Sequence, residues 1–303
     1  MMIARPRCHP PRTGRLRIDL HTHSTASDGT DSPAGVVAAA AAAGLDVVAL
    51  TDHDTTSGWT AAAAALPAGM SLVRGAEFSC VTPGRDGQKD ISVHLLGYLF
   101  DPQHPAIVAE QQRLRTERVA RLRLMTERMA AAGFPVDVDT VFALLPEGAS
   151  AGRPHLARAL VDAGAVASVD EAFAKLLYTG SPYYVEKVDT PAATAVAMVR
   201  AAGGVAVFAH PLARRRGRVV DERTIAELAT AGLAGLEVDH PDHAPDDRAL
   251  LRGLASDLGL VVTGSSDYHG TNKTTPIGAE TTDPAQFEAL VARAGSGVAV
   301  LAG

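Results

Sequence analysis

The chain has 303 residues, enough for one large α/β barrel or two average domains. Hydrophobic residues make up 47% and charged residues 20%, which argues against wholesale disorder. A net charge of −6 argues against a broad basic surface for duplex nucleic acid, although a small phosphorylated ligand stays open where bound cations reverse the local field. The basic, Pro-rich start (Met1 to Arg17, with a tail over 1–14) lacks a following apolar stretch, which predicts no secretory signal. Cys8 and Cys80 cannot make a disulfide framework, so the reducing cytosol is the expected compartment. Aromatics are only 4%, so the core must rest on aliphatic packing. No apolar run is long enough to predict a membrane role.

Short runs rich in Val, Ile and Leu recur at 16–20, 46–50, 71–78, 93–100, 204–208, 235–238 and 260–263. Ala-rich segments of helical length separate most of them, at 33–43, 191–202, 222–231 and 244–258. This alternation predicts an α/β fold, a parallel sheet covered on both faces and closed or nearly closed as a barrel. The rhythm breaks at 101–187, which reads as a helical insertion between the fourth and fifth strands. Its arginines (Arg113, Arg115, Arg118, Arg121, Arg123, Arg128), interspersed with Glu110, Glu117 and Glu127, read as a solvated helix face.

Histidine placement carries the chemistry. The first strand runs into Asp19-Leu20-His21-Thr22-His23, with Asp28 shortly after, and the second into Thr51-Asp52-His53-Asp54. The third delivers Glu77, the fourth carries His94, the fifth ends in His210-Pro211, and the last ends in Asp267-Tyr268-His269. Each cluster falls at or near the end of a predicted strand, where barrel enzymes collect their sites. Two residues apart on an extended chain, His21 and His23 point to the same side and can grip one ion. Carboxylates from neighbouring strands complete a mixed nitrogen and oxygen site for Zn, Mn or Fe. Beside this set, Asp52 and Asp54 read as one carboxylate orienting a ligand imidazole and one helix cap. Cys80 reads as a small buried residue. His240 and His243 read either as a leaving-group acid or as surface loop residues, and His9 and His104 as spectators.

Taken together, His21-x-His23, Asp28, Thr51-Asp52-His53, Glu77, His94, His210-Pro211 and Asp267-x-His269 resemble the PHP (polymerase and histidinol phosphatase) superfamily, over nearly the whole chain from Ile18 to about Gly278. The resemblance implies a distorted seven-stranded (βα) barrel over 15–100 and 188–303, with the helical insertion domain at 101–187 and a trinuclear metal centre. One ion would take His21, His23, Glu77 and Asp267. A second would share Glu77 and add His94 and His210, and a third would use Asp28, His53 and His269. Glu77, Asp267 and His210 would form the catalytic core, around a hydroxide that bridges two ions. Manganese is the first expectation for the metal, with zinc and iron as alternatives.

The segments Ser27-Asp28-Gly29-Thr30, Gly152-Arg153-Pro154-His155 and Tyr183-Tyr184-Val185-Glu186-Lys187 are most similar to the stand-alone phosphoesterases of that superfamily. Those include nucleoside 3′,5′-bisphosphate phosphatases and 5′-to-3′ exoribonucleases. Arg153, His155 and Lys187 would then contact a second phosphate or a backbone phosphate of the substrate, a nucleotide or short single-stranded RNA rather than a duplex. Two alternatives stay open: a phosphatase of another small metabolite such as histidinol phosphate, and a non-catalytic metal-binding module for stability or partner docking.

Overall fold

A computed structural model describes residues 15–303 apart from 86, 144 and 146–148. The expected N-terminal tail, with Cys8 and His9, lies outside the described residues. The chain opens with β1 (Ile18–Asp19), α1 (Pro33–Ala42), β2 (Val47–Leu50), α2 (Trp59–Ala64) and β3 (Ser71–Thr82). β4 (Ile91–Tyr98) follows with no helix between. Next come α3 (Pro105–Ala131), α4 (Val138–Ala143), α5 (Arg153–Asp162) and α6 (Val169–Lys175), then β5 (Thr190–Pro191) and α7 (Ala192–Ala201). The alternation resumes in β6 (Val205–Ala209), α8 (Glu222–Ala231), β7 (Gly235–Asp239), α9 (Pro245–Leu258) and β8 (Val261–Gly264). The chain closes with α10 (Pro284–Val291) and β9 (Leu301–Ala302).

The sheet runs in the order β1-β2-β3-β4-β6-β7-β8, and both β5 and β9 add to β3. Its ends nearly meet. Just past β1 and β8, Thr22 bridges Tyr268 in parallel, and the His23 N–H donates to the Tyr268 carbonyl at 2.8 Å. The buried Asp19 carboxylate seals this seam by accepting from the Ser266 hydroxyl at 2.6 Å and the Gly278 N–H at 2.8 Å.

A wholly parallel sheet does not form. β4 runs antiparallel to both β3 and β6. The connection over 83–90 is too short for the crossover of about a dozen residues that a parallel pair needs, so the chain turns back as a hairpin. This reversal matters for the site. His94 lies in the first half of β4, opposite Ser79 on β3 and Ala209 on β6, and so reaches the same end of the sheet as the strand termini around it.

Alternate residues of each strand serve two cores, as the two-residue period requires. Val47, Ala49, Leu96, Val207 and Val261 fill the inside of the barrel, and α10 plugs it with Leu290. Val48, Leu50, Leu95 and Phe208 face outward against α1, α7 and α8 through Val36, Val199 and Leu228. The helices α3 to α6 share a separate core built on Leu122, Met125, Leu156, Leu160 and Leu177. The arginine run does not form a plain solvated face: Arg118 reaches the buried Asp54, and Arg113, Arg121 and Arg128 donate to the carbonyls of Val188, Val185 and Tyr184, strapping that segment along α3.

Candidate metal centre

The strand termini aim their polar side chains at one point. Left-handed backbone at non-glycine residues concentrates there: φ is 54° at Asp54, 29° at His210 and 52° at Asp267. Such conformations cost on the order of 1–3 kcal/mol each and persist where the surroundings fix them. The Asp28 loop is held just as firmly, because a β-carbon on Gly29 would collide with the His23 carbonyl.

Glu77 sits at the middle, with 1% of its surface exposed. Its two oxygens face different partners. Oε1 lies 2.7 Å from His94 Nδ1 and 3.1 Å from His210 Nε2. Oε2 lies 3.1 Å from His21 Nε2, 3.0 Å from His23 Nε2 and 3.2 Å from His53 Nδ1. Burial opposes its charge, but His21, His53 and His94 outweigh that and hold the carboxyl well below the usual range.

Donor atoms gather in three sets that could each hold an ion: His23, Asp28, His53 and His269; His21, His23 and Asp267; and His53, Glu77 and His94. His23 and His53 therefore stand between sets, and His210 joins through Glu77. Two features fit a cation. His53 Nδ1 is buried and has no hydrogen-bond partner, despite its closeness to Glu77. His21 Nε2 and His23 Nε2 lie 3.0 Å apart, a separation that a shared proton or a cation between them would satisfy. Burial disfavours a charged His23, but hydrogen bonds to Asp267 and Glu77 prevail and raise it to about 9. Burial foremost pushes His210 down to about 3 and His269 to about 4, keeping their nitrogens free to ligate.

Surrounding groups fix the ligands. The fully buried Glu237, on β7, was legible in the sequence only as a charge inside an apolar strand. Its Oε1 accepts from His21 Nδ1–H at 3.0 Å and from the Ser265 hydroxyl, and its Oε2 accepts the His210 N–H at 2.8 Å. It thereby turns His21 Nε2 toward the site. Glu237→Gln is expected to weaken metal binding about 10- to 100-fold while the chain stays folded, because an amide offers one of those donors another NH₂. Titration against a chelator measures this.

Asp52 plays the expected orienting role only through Ser27, whose hydroxyl faces His23 Nδ1 at 3.4 Å, and Asp54 caps no helix among the described residues. Asp52 accepts from the Ser24 N–H and hydroxyl, both at 2.7 Å, and from Ser27 at 2.6 Å. Asp54 accepts from the Ser79 N–H at 2.7 Å, the Ser79 hydroxyl and Arg118. Among the described residues neither bonds a site imidazole, and α2 is capped at Gly58 instead. They shape the backbone around His23 and His53.

His240 and His243 are buried rather than on the surface. His243 spends both nitrogens on backbone, Nδ1 on the Val238 carbonyl at 2.8 Å and Nε2 on the Leu212 N–H at 3.2 Å. His240 Nε2 faces Asp267 Oδ2 at 3.4 Å. Cys80 is a fully buried free thiol on β3.

The insertion meets this site at α5. The Ser150 N–H donates to the Ala26 carbonyl at 2.8 Å, and His155 bonds to the backbone of Gly152 and Ser27 and feels the Asp28 charge. Arg153 donates to the Leu177 carbonyl at 2.8 Å, with its guanidinium over the rings of Phe173 and Tyr184. Lys187 pairs with Asp189 at 2.6 Å.

Residues 19–132 match the model of the PHP domain. The 3′,5′-nucleoside bisphosphate phosphatase of Chromobacterium violaceum is 38% identical over 253 residues, covering 83% of this chain and 87% of that protein. The chain belongs to the PHP family. A second relative, the 5′-3′ exoribonuclease of Haemophilus influenzae, is 34% identical over 254 residues, 84% of this chain and 90% of its own. The structure of a Bifidobacterium adolescentis protein assigned as a metal-dependent phosphoesterase superposes with a TM-score of 0.85 at 35% identity, covering 95% of this chain and 98% of that one. This PHP protein is a metal-dependent phosphoesterase.

Proposed function

We propose that the protein hydrolyses terminal phosphate esters of nucleotides, with nucleoside 3′,5′-bisphosphates and the 5′ ends of short single-stranded RNA as its substrates. The observation that carries this reading is Glu77, whose two oxygens each face their own set of imidazoles. His21, His23, Asp28, His53, Glu77, His94, His210, Asp267 and His269 would hold three divalent cations, manganese first. Such cations supply water acidified to near neutrality and neutralise phosphate charge. The relatives' activities, on a bisphosphate and on RNA, support the substrate class.

In this reading His155 borders the mouth beside Asp28, where a second phosphate would lie, and Arg153 stands two residues before it at the start of α5. Arg153 is positioned by Leu177 and two aromatic rings rather than by a carboxylate, which leaves its charge for an anion. Lys187 contributes less because Asp189 already neutralises it. A net charge of −6 leaves duplex DNA a poor substrate. Among the described residues no helix is long and apolar enough to cross a membrane. The free Cys80 thiol suits a reducing cytosol, the compartment we propose.

The test is a panel of a nucleoside 3′,5′-bisphosphate, its mononucleotide, 5′-phosphorylated short RNA and histidinol phosphate, each with Mn²⁺. Arg153→Ala is expected to lower kcat/KM for the bisphosphate about 10- to 100-fold, the span of one charge-assisted hydrogen bond, and to spare the mononucleotide. Equal losses on both, or preferred turnover of histidinol phosphate, contradict the assignment.

A further inference from the structure

Asp267 divides its carboxylate between two surroundings. Oδ1 faces the imidazoles, 3.5 Å from both His21 Nε2 and His23 Nε2 and 3.4 Å from His269 Nδ1. Oδ2 faces the other way, with His240 Nε2 at 3.4 Å, and two full cations converge on it: Arg216 Nη2 and Lys273 Nζ, each at 2.6 Å. One carboxylate oxygen needs one such partner. Both side chains remain about a third exposed, at 35% and 32%, while the carboxylate they touch is 2% exposed.

Each cation is carried by a tethered loop. Arg216 follows β6, and its Nε is anchored on Asp242 at 2.7 Å. Its neighbour Arg218 donates to the carbonyls of Lys89 and Asp90 at the β3–β4 hairpin. Lys273 ends a turn after β8 whose Asn272 side chain donates to the Asp28 carbonyl at 2.8 Å. Among the described residues Lys273 has no carboxylate partner besides Asp267.

Charge balance then gives these groups a role. Asp267 and Asp242 together offset Arg216 and Lys273. A divalent ion on Oδ1 would leave this wall of the mouth positive and in need of an anion, and an anion next to that ion would lie within a few ångströms of both heads. The planar guanidinium suits two phosphate oxygens, and the ammonium adds a point charge.

We propose that Arg216 and Lys273 hold the oxygens of the phosphoryl group that is cleaved, a phosphate monoester dianion. This rests on the phosphoesterase reading and is separate from any second phosphate near Arg153. In the hydrolysis a water oxygen bonds to phosphorus and the ester P–O bond breaks. One water proton ends on the leaving oxygen and the other stays on the phosphate. Arg216 and Lys273 keep their protons and stabilise charge on the non-bridging oxygens as it shifts.

The experiment titrates Mn²⁺-loaded protein with inorganic phosphate by calorimetry, alongside a Mn²⁺ binding isotherm, for wild type, Arg216→Met, Lys273→Met and Arg216→Lys. Each Met variant is expected to weaken phosphate binding about tenfold or more and to lower kcat/KM for a phosphate monoester about 100-fold. Mn²⁺ affinity should be unchanged or tighter, and Arg216→Lys should recover part of the loss. Phosphate affinity within twofold of wild type in both Met variants overturns the proposal. So does a loss of Mn²⁺ affinity that matches the loss of phosphate affinity, because the pair would then only position Asp267. Loaded wild-type protein that binds no phosphate overturns the phosphoesterase reading and this proposal together. Binding by wild type and Met variants alike overturns this proposal alone.

Discussion

Glu77→Ala is expected to lower phosphoester turnover by about three orders of magnitude or more and to remove more than one metal ion per chain. Five imidazoles lie within 3.2 Å of its two oxygens, so the truncation takes a negative charge from the middle of the site and a shared anchor from several histidines at once. The fold should survive, because the aliphatic cores on either side of the sheet do not depend on this side chain. Glu77→Gln, which keeps the shape and loses the charge, should fall between the two. Elemental analysis beside turnover measures both effects, and near-normal metal content with near-normal turnover in Glu77→Ala would remove the basis of the assignment.

Arg118→Met should produce the largest loss of stability. Asp54 is wholly buried, its backbone is left-handed, and Arg118 on α3 is the cation that neutralises it. Removing one partner of a buried pair costs about 3–5 kcal/mol, because the other charge is left in a poor solvent. The melting temperature should drop by roughly 10 °C. Replacing the second charge as well, in Arg118→Met with Asp54→Asn, should recover a good part of that loss. A single variant that melts within about 2 °C of wild type in a calorimeter would mean that the pair contributes no more than an exposed one. Because Asp54 adjoins His53, activity should fall with stability, tying α3 to the site it covers.

Much of this site was readable from the chain because His21, His23, His53, His210, Asp267 and His269 each follow an apolar run, and such runs end where a barrel opens. The direction of β4 was not readable in the same way. A strand's side-chain pattern is the same in either direction, and only the short link at 83–90 records the reversal that brings His94 to the right end. β5 and β9 are two residues each, too short for any periodicity to register. The arginine run on α3 has the spacing of a surface face, and nothing local shows that Arg118 answers a carboxylate far away in sequence. Glu237 did leave a mark, as a charge in an otherwise apolar strand, but its link to His21 and His210 exists only in three dimensions. Arg216 and Lys273 left none, since isolated cations in loops are ordinary on any surface.

The donors around Glu77 form one metal-dependent phosphoester-hydrolysing site. Its most direct test is phosphate release from a nucleoside 3′,5′-bisphosphate by protein first stripped with a chelator and then reloaded with Mn²⁺. No release is expected from the stripped protein. After reloading, inorganic phosphate and a nucleoside monophosphate should appear in equal amounts, at a rate that rises with the metal bound. Full metal loading with no phosphate release from the bisphosphate or a mononucleotide, and no mononucleotide release from short 5′-phosphorylated RNA, would rule it out.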